Sequence, residues 1–265
     1  MPEGDVVWYT ARRLHEALAD RTLTRSDFRV PRLATVSLAD DTVTEATAHG
    51  KHILIRTGGG LTVHTHLRMD GSWRVTSVEE PVRDSHRIRL ILANHAWQAT
   101  GYQLGVVELL RTRDERRVTG HLGPDLLGPD WDTGEAVRRL AAKPDLPIGA
   151  ALLDQRNLAG IGNIYKAEVL FLRGVNPWTP VSAVPDLAAM ADLAQQLLDA
   201  NKERVGQVTT GSSKPGEQTW VYGRRGRPCR RCATPIRSQG QQDRITYWCP
   251  RCQPAAGWTP SPPSC

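Results

Sequence analysis

Four cysteines near the C-terminal end constrain the fold more than any other feature of this sequence. They form two pairs, Cys229 with Cys232 and Cys249 with Cys252, and sixteen residues separate the pairs. Each Cys-x2-Cys turn can direct both sulfurs at one metal ion, and four thiolates complete a tetrahedral zinc site with no open position. The spacing therefore predicts one structural zinc ion, which folds a module too small to hold itself together.

Disulfide bonds are the alternative use of these cysteines, and the start of the chain argues against them. The sequence Met1-Pro2-Glu3-Gly4-Asp5 has neither the basic stretch nor the apolar core of a secretory signal. No apolar run approaches the roughly 18 residues that span a membrane. We therefore expect a cytoplasmic protein without membrane contact, in a compartment where thiols stay reduced.

The basic charge of the chain is concentrated around the cysteines. The whole chain carries a formal net charge of +6. The segment from Lys214 to Arg251 has nine basic and two acidic residues, a net charge of +7, which leaves −1 for the remainder. This concentration is typical of a surface that binds nucleic-acid phosphates, although a solvated arginine-rich surface would give the same count.

Hydrophobic periodicity divides the rest of the chain. Residues 4–19 have the spacing of a helix, and residues 22–110 contain short apolar runs punctuated by glycine, as in a β-sandwich or barrel. Glycine-proline pairs at 120–132 predict a linker, and helical periodicity follows it. The predicted strands are 51–56, 61–66, 73–76 and 87–92, and the predicted later helices are 135–142, 148–154, 164–172 and 187–203.

Two residues are suited to bind phosphate. Asn163 ends the run Gly160-Ile-Gly-Asn163 directly before a predicted helix, where backbone amides favour an anion. Turn geometry alone would explain the same glycines. Arg244 starts a run of alternating apolar and polar residues that predicts the second strand of a hairpin between the cysteine pairs. A guanidinium at this position can form two parallel hydrogen bonds to a phosphate. Beside a basic module, both residues favour nucleic-acid binding.

The N-terminus offers a nucleophile. Pro2 follows the initiator methionine, whose removal would expose a secondary amine. An α-amino group has a pKa of about 8, so that roughly a tenth of it is neutral at pH 7. A neutral amine can attack the anomeric carbon of a deoxyribose and expel a base, and the resulting iminium promotes strand cleavage by elimination. Glu3 could shuttle protons, and Lys51 could supply a second cation. Because Met-Pro-Glu is a common protein start, the argument depends on these residues occurring together.

Taken together, these segments resemble the formamidopyrimidine-DNA glycosylase/endonuclease VIII family over nearly the whole chain. Each motif is modest, but their order and spacing are specific. The motifs are Pro2-Glu3-Gly4, Gly50-Lys51-His52-Ile53-Leu54, His66-Leu67-Arg68-Met69-x-Gly71, Leu158-Ala-Gly-Ile-Gly-Asn-Ile-Tyr165, Val221-Tyr-Gly-Arg224, and the four cysteines with Arg244 five residues before Cys249.

The resemblance implies an α+β multidomain chain with DNA in the cleft between its domains. An N-terminal β-sandwich with flanking helices would precede a helix-two-turn-helix domain and a four-cysteine zinc finger. The expected boundaries are 1–119 for the catalytic sandwich, 120–133 for the linker, 134–222 for the helix-two-turn-helix domain, 223–255 for the zinc finger and 256–265 for a disordered tail.

The resemblance also implies the activity. The protein would be a bacterial, bifunctional DNA glycosylase/AP lyase of base excision repair that acts as a monomer on damaged DNA, without a small-molecule cofactor. Pro2 would be the Schiff-base nucleophile, Glu3 the acid/base residue, and Lys51 a catalytic lysine at the lesion phosphate. Elimination at both the β and δ positions would then nick the strand.

Five DNA contacts are implied as well. Asn163 and Arg244 would bind the phosphates that flank the flipped nucleotide. Met69 would fill the space that the flipped base leaves in the base stack. The purine-repair branch has Asp-Pro-Arg-Arg-Phe-Gly where this chain reads Thr-Gly-Tyr-Gln-Leu-Gly. Tyr102 and Leu104 therefore stand where that branch has its orphan-base arginine and its phenylalanine.

These departures, with the glycine after Glu3 and the short segment 209–220, favour the endonuclease VIII branch and oxidised pyrimidines as substrates. Without an arginine to recognise an orphan cytosine, we expect weak preference for the opposite base. Two alternatives stay open. One is the same chemistry on oxidised purines, and the other is a non-catalytic DNA- or RNA-binding zinc protein.

Overall fold

The computed structural model describes residues 2–204 and 206–255. The chain divides into two compact units, Met1–Leu122 and Gly123–Cys265. The predicted disordered tail, 256–265, lies outside the described residues. Within the described part, no helix is long and apolar enough to cross a membrane.

The first unit packs two antiparallel sheets and a long helix around one core, which confirms the predicted β-sandwich. The five-stranded sheet has the order β1-β3-β4-β5-β9, and the four-stranded sheet has the order β2-β7-β8-β6. Apolar side chains from both sheets and from α1 form the core. The elements are α1 (Gly4–Leu18), β1 (Arg21–Thr22), β2 (Arg25–Phe28), β3 (Thr42–His49), β4 (His52–Thr57), β5 (Leu61–His66), β6 (Ser72–Ser77), β7 (Ile88–Ala93), β8 (Trp97–Tyr102), β9 (Val106–Arg111) and α2 (Arg116–Thr119).

In the second unit, the described residues form four α-helices and one hairpin. The helices α3 and α6 start at the aspartates Asp132 and Asp186, whose side chains accept hydrogen bonds from backbone amides of the first turn. The pair α4 and α5, joined by a turn, forms the predicted helix-two-turn-helix. The elements are α3 (Thr133–Ala141), α4 (Ile148–Leu153), α5 (Asn163–Leu172), α6 (Leu187–Asn201), β10 (Arg237–Gln241) and β11 (Arg244–Trp248).

A buried carboxylate on α5 binds the backbone of residues 220–222, which precede the cysteines. Glu168 is fully buried and accepts hydrogen bonds from the backbone N–H groups of Trp220, Val221 and Tyr222, at 2.7, 2.9 and 2.9 Å. A buried carboxylate is stable only when such donors compensate its lost hydration. Glu168 therefore fixes the entry of the chain into the cysteine module.

The structure differs from the expected organisation at the linker. Residues 123–132 of the expected linker pack within the second unit, where Leu126 is fully buried. The strand β8 includes Thr100, Gly101 and Tyr102, so that only residues 103–105 form the turn to β9. Periodicity missed β8 and β9 because their residues alternate poorly between apolar and polar types.

Candidate active site

The first two residues of the proposed catalytic set lie at the start of α1. Pro2 is half-buried and precedes Glu3, which is the N-cap residue of the helix. The Glu3 side chain is fully buried. A negative charge at this position interacts favourably with the positive end of the helix dipole. The structure thus places the predicted nucleophile and the predicted acid/base residue side by side, as their adjacency in sequence requires.

Lys51 lies in a two-residue turn between β3 and β4. His49 and His52 form the last pair of the two strands, so Gly50 and Lys51 are the turn residues. Gly50 has φ of 57°, a conformation that glycine adopts without strain and that such tight hairpins require. The Gly50-Lys51 motif therefore has a structural basis, since glycine makes the turn that presents the lysine.

Met69 lies in the turn after β5, and its side chain is 50% exposed. The preceding residue, Arg68, has φ of 56°. An exposed, flexible apolar side chain at the tip of a turn is suited to enter a base stack. The position of Met69 fits the predicted role, which stays a prediction.

Tyr102 and Leu104 differ in accessibility. Tyr102 is half-buried at the end of β8, whereas Leu104 is only 6% exposed and packs in the core against Gly101. This burial favours a packing role for Leu104 over the predicted contact with DNA. A role of either residue in binding DNA stays a prediction.

The Met69 turn and the β8–β9 turn are joined. Gly105 N–H donates to the His66 carbonyl oxygen at 3.0 Å, and the Arg68 side chain packs directly on Gly105, where a Cβ atom would collide with it. Glycine is therefore required at 105 by this close approach. The two turns predicted to contact DNA consequently form one structural element.

A histidine cluster on β4 and β5 was missed by the sequence reasoning. His52 Nδ1 lies 2.8 Å from His64 Nε2, and the His66 and His121 rings contact His52 edge-on. His64 also lies 3.0 Å from Glu108 on β9. The sequence did offer a signal. Histidines stand at alternate positions of one predicted strand, at 64 and 66, and another stands in the neighbouring predicted strand, at 52.

Folding lowers the pKa of two of these histidines. Burial, reinforced by the neighbouring His64 and His66, lowers the pKa of His52 from 6.5 to about 3. Burial, with Arg68 and Lys51 nearby, lowers the pKa of His66 to about 4. Both side chains are therefore neutral in the folded protein at pH 7.

We expect His52 and His66 to make their full contribution to the free energy of unfolding above about pH 6.5. This contribution should fall as the pH drops towards 4. The unfolded chain binds protons at its ordinary histidine pKa, whereas folded His52 and His66 do not, so each contributes a slope of up to about 1.4 kcal/mol per pH unit. Urea denaturation between pH 4.5 and 7.5 measures this slope. His52→Gln should make it shallower, and the exposed His95→Gln should not. Equal slopes in wild type and His52→Gln would contradict the assignment.

The structure brings Asn163 and Arg244 together in the second unit. Asn163, at the start of α5, donates from Nδ2 to the carbonyl oxygen of Ile245 at 2.8 Å, one residue from Arg244. Lys166 is buried one helical turn later and donates from Nζ to Thr246 Oγ1 at 2.6 Å. These two bonds fix β11 against α5, and they fix the spacing of the two predicted phosphate contacts.

The four predicted zinc ligands converge. Their Sγ atoms all lie within 4.8 Å of one another, with Cys229–Cys252 at 3.9 Å and Cys232–Cys249 at 3.5 Å. Zn–S bonds of about 2.3 Å in a tetrahedron place sulfurs about 3.8 Å apart, so these residues fit the ion. Burial raises the pKa of the Cys249 and Cys252 thiols, so their thiolates need a cation to compensate the charge.

Models of known protein families match nearly the whole chain. The formamidopyrimidine-DNA glycosylase N-terminal domain matches residues 1–120, and the H2TH domain of the same glycosylase matches residues 122–213. A zinc finger found in FPG and IleRS matches residues 226–255. This last match supports the zinc site that the cysteine geometry indicates.

Three similar curated proteins come from bacteria. The chain is 55% identical to a probable endonuclease 8 2 of Streptomyces coelicolor, over 99% of this chain and 96% of that protein. It is 50% identical to endonuclease 8 2 of Mycobacterium tuberculosis, over 96% of this chain and all of that protein. It is 45% identical to the DNA-(apurinic or apyrimidinic site) lyase Nei2 of Mycolicibacterium smegmatis, over 97% of this chain and all of that protein.

Among solved structures, a complex between the Lactococcus lactis Fpg and abasic-site DNA is similar to this chain, with a TM-score of 0.80 and 23% identity over 96% of this chain and all of that chain. At this identity the likeness concerns the fold alone. It confirms the expected arrangement of sandwich, helix-two-turn-helix domain and zinc finger along one chain.

Proposed function

Because the chain belongs to the formamidopyrimidine-DNA glycosylase/endonuclease VIII family, we propose that it is a bifunctional DNA glycosylase/AP lyase of base excision repair. It binds damaged DNA, excises an oxidised base and nicks the strand at the resulting site. The identity of 45–55% to proteins named endonuclease 8 and Nei2, across the whole chain, is the observation that carries this conclusion. We further propose that it acts as a monomer in the bacterial cytoplasm.

The reaction starts at Pro2 once Met1 has been removed. The neutral proline nitrogen attacks C1′ of the damaged nucleotide, the C1′–N bond to the base breaks, and an iminium joins the protein to the sugar. Glu3, adjacent to Pro2 and at the start of α1, delivers a proton towards the sugar ring oxygen during opening. Lys51 in its hairpin turn supplies positive charge to the lesion phosphate. The zinc ion takes part in none of these steps, because its four cysteines leave no open position.

Strand cleavage follows from the same cation. The iminium acidifies the sugar proton at C2′, and loss of that proton expels the 3′ phosphate by β-elimination. A second elimination expels the 5′ phosphate, and hydrolysis then releases proline as a free amine. The chemistry therefore needs no cofactor other than the enzyme's own N-terminus.

Oxidised pyrimidines are the proposed substrates. The β8–β9 turn has only residues 103–105 and carries no arginine, and its neighbour Tyr102 is half-buried. Arginine and lysine make the commonest base-specific hydrogen bonds, and residues 103–105 include neither. This supports weak preference for the opposite base, and with it the pyrimidine branch.

A panel of duplexes tests this proposal. Thymine glycol and 5-hydroxycytosine are compared with 8-oxoguanine and formamidopyrimidines, each opposite all four bases. Faster excision of the pyrimidine lesions, with rates that vary little with the opposite base, is expected. Cleavage of the purine lesions alone would assign the protein to the purine-repair branch instead.

Borohydride trapping on abasic DNA tests catalysis itself. An enzyme that forms an iminium is reduced to a stable covalent adduct, whereas a zinc protein that only binds DNA or RNA is not. If protein that begins at Pro2, as shown by mass spectrometry, formed no adduct, the non-catalytic alternative would be correct.

Arg244→Ala should weaken DNA binding and lower its salt dependence by about one phosphate contact, a change of about 0.9 in the slope of log K against log salt. Arg138→Ala is the control, since Arg138 is an exposed arginine outside the basic segment and pairs with Glu135. Fluorescence anisotropy between 50 and 200 mM salt measures both slopes. A wild-type slope in Arg244→Ala would refute the phosphate contact.

A further inference from the structure

A row of three polar side chains crosses the five-stranded sheet beside the Lys51 turn. Glu108 on the edge strand β9 lies opposite His64 on β5, with Oε2 at 3.0 Å from His64 Nδ1. His64 Nε2 lies 2.8 Å from Nδ1 of His52 on β4. Because His52 directly follows Lys51, the row leads from an exposed edge of the sheet to the turn that holds the lysine.

The hydrogen-bond roles in this row follow from the charge states. Burial lowers the pKa of both His52 and His64, so each imidazole is neutral at pH 7 and donates from one nitrogen only. The Glu108 carboxylate can only accept, so the hydrogen of His64 is on Nδ1 and its Nε2 accepts. His52 must then donate from Nδ1, which leaves a lone pair on His52 Nε2. One carboxylate thus fixes the tautomer of two histidines.

The far end of the row is connected to the Met69 turn through His66. His52 and His66 are partners in the β4–β5 register, and their rings meet edge-on with centroids 5.0 Å apart. His66 Nδ1 in turn accepts the backbone N–H of Arg68 at 2.9 Å. Arg68 has φ of 56°, a left-handed conformation that costs a non-glycine residue about 1 kcal/mol and needs support from its surroundings. The row therefore supports a strained residue next to Met69.

We propose that Glu108 and His64 are positioning residues, which hold His52 in one tautomer and orientation and thereby keep the Lys51 turn and the Met69 turn in a single arrangement. The inference rests on the proposed function, since it is that function which gives Lys51 and Met69 their roles. Neither Glu108 nor His64 needs to touch DNA. At metal sites, a carboxylate hydrogen-bonded to a ligand histidine fixes the tautomer and orientation of the ring in this way, and its loss typically lowers metal affinity or activity about 10- to 100-fold.

Two substitutions of Glu108 test the proposal. Its side chain is 55% exposed, so neither should impair folding, which thermal denaturation checks. Glu108→Ala removes the acceptor and should lower the single-turnover rate of adduct formation on a lesion duplex about tenfold, with the Kd for that duplex within twofold of wild type. Glu108→Gln keeps an acceptor oxygen for His64 Nδ1–H and should restore the rate to within twofold. Glu79→Ala, which removes an exposed glutamate outside the row, is the matched control.

The outcomes separate the inference from the function on which it rests. A wild-type rate in Glu108→Ala overturns the positioning role, and so does a Glu108→Gln variant as slow as Glu108→Ala. A change in Kd that accounts for the whole effect does the same. If the wild-type protein forms no adduct at all, the proposed function fails, and the inference fails with it.

Discussion

Protein that retains residues in front of Pro2 will form no covalent adduct with abasic DNA, and its rate of base excision will fall by at least about three orders of magnitude. An amide nitrogen has no lone pair available to attack C1′, so blocking the amine removes the nucleophile itself rather than weakening it. Borohydride trapping and single-turnover excision on the same lesion duplex measure the loss.

The matched control is the same protein processed to begin at Pro2, with its mass confirmed. DNA affinity should be nearly equal in the two forms, because the predicted phosphate contacts at Asn163 and Arg244 lie in the other structural unit. An adduct of normal yield on the blocked protein would show that another amine, such as Lys51, is the nucleophile. That result would require a different mechanism.

Removal of zinc is expected to have the second large effect. Zinc binding contributes about 10–16 kcal/mol to the folding of small zinc fingers, so Cys249→Ser should unfold the cysteine module. Cys249 is buried in a small core with Phe171, Val221 and Ile236, which has little apolar area without the metal. Arg244 and the carbonyl oxygen held by Asn163 both belong to the hairpin of this module. We therefore expect DNA affinity to fall at least about 100-fold.

Mass spectrometry measures the zinc content, circular dichroism measures the unfolding of the cysteine module, and fluorescence anisotropy measures the DNA affinity. Cys265→Ser changes the remaining cysteine and is the control, with wild-type zinc content and affinity expected. The sandwich of the first unit has its own apolar core, so its cooperative unfolding should persist. A zinc-free protein that still binds DNA with wild-type affinity would contradict a structural role for the metal.

The candidate site could be predicted where its chemistry is local in sequence. The zinc ligands followed from the spacing of two Cys-x2-Cys turns, and Pro2 and Glu3 followed from their place at the start of the chain. The strand Leu61–His66 and the helix Ile148–Leu153 were predicted within one residue, because apolar periodicity within one element determines which face is buried. Length, turn residues and periodicity all act over short segments, so the sequence carries them directly.

Contacts between distant residues were decided by the tertiary structure alone. The pairing of Glu108 with His64 depends on the register of two strands more than forty residues apart, and the contact of Asn163 with Ile245 joins positions 82 residues apart. Leu104 is predicted from the sequence to contact DNA, and only the tertiary structure shows that its side chain packs against Gly101 in the core. Strand register and burial are set by the packing of the whole unit, and no local pattern of residues encodes that packing.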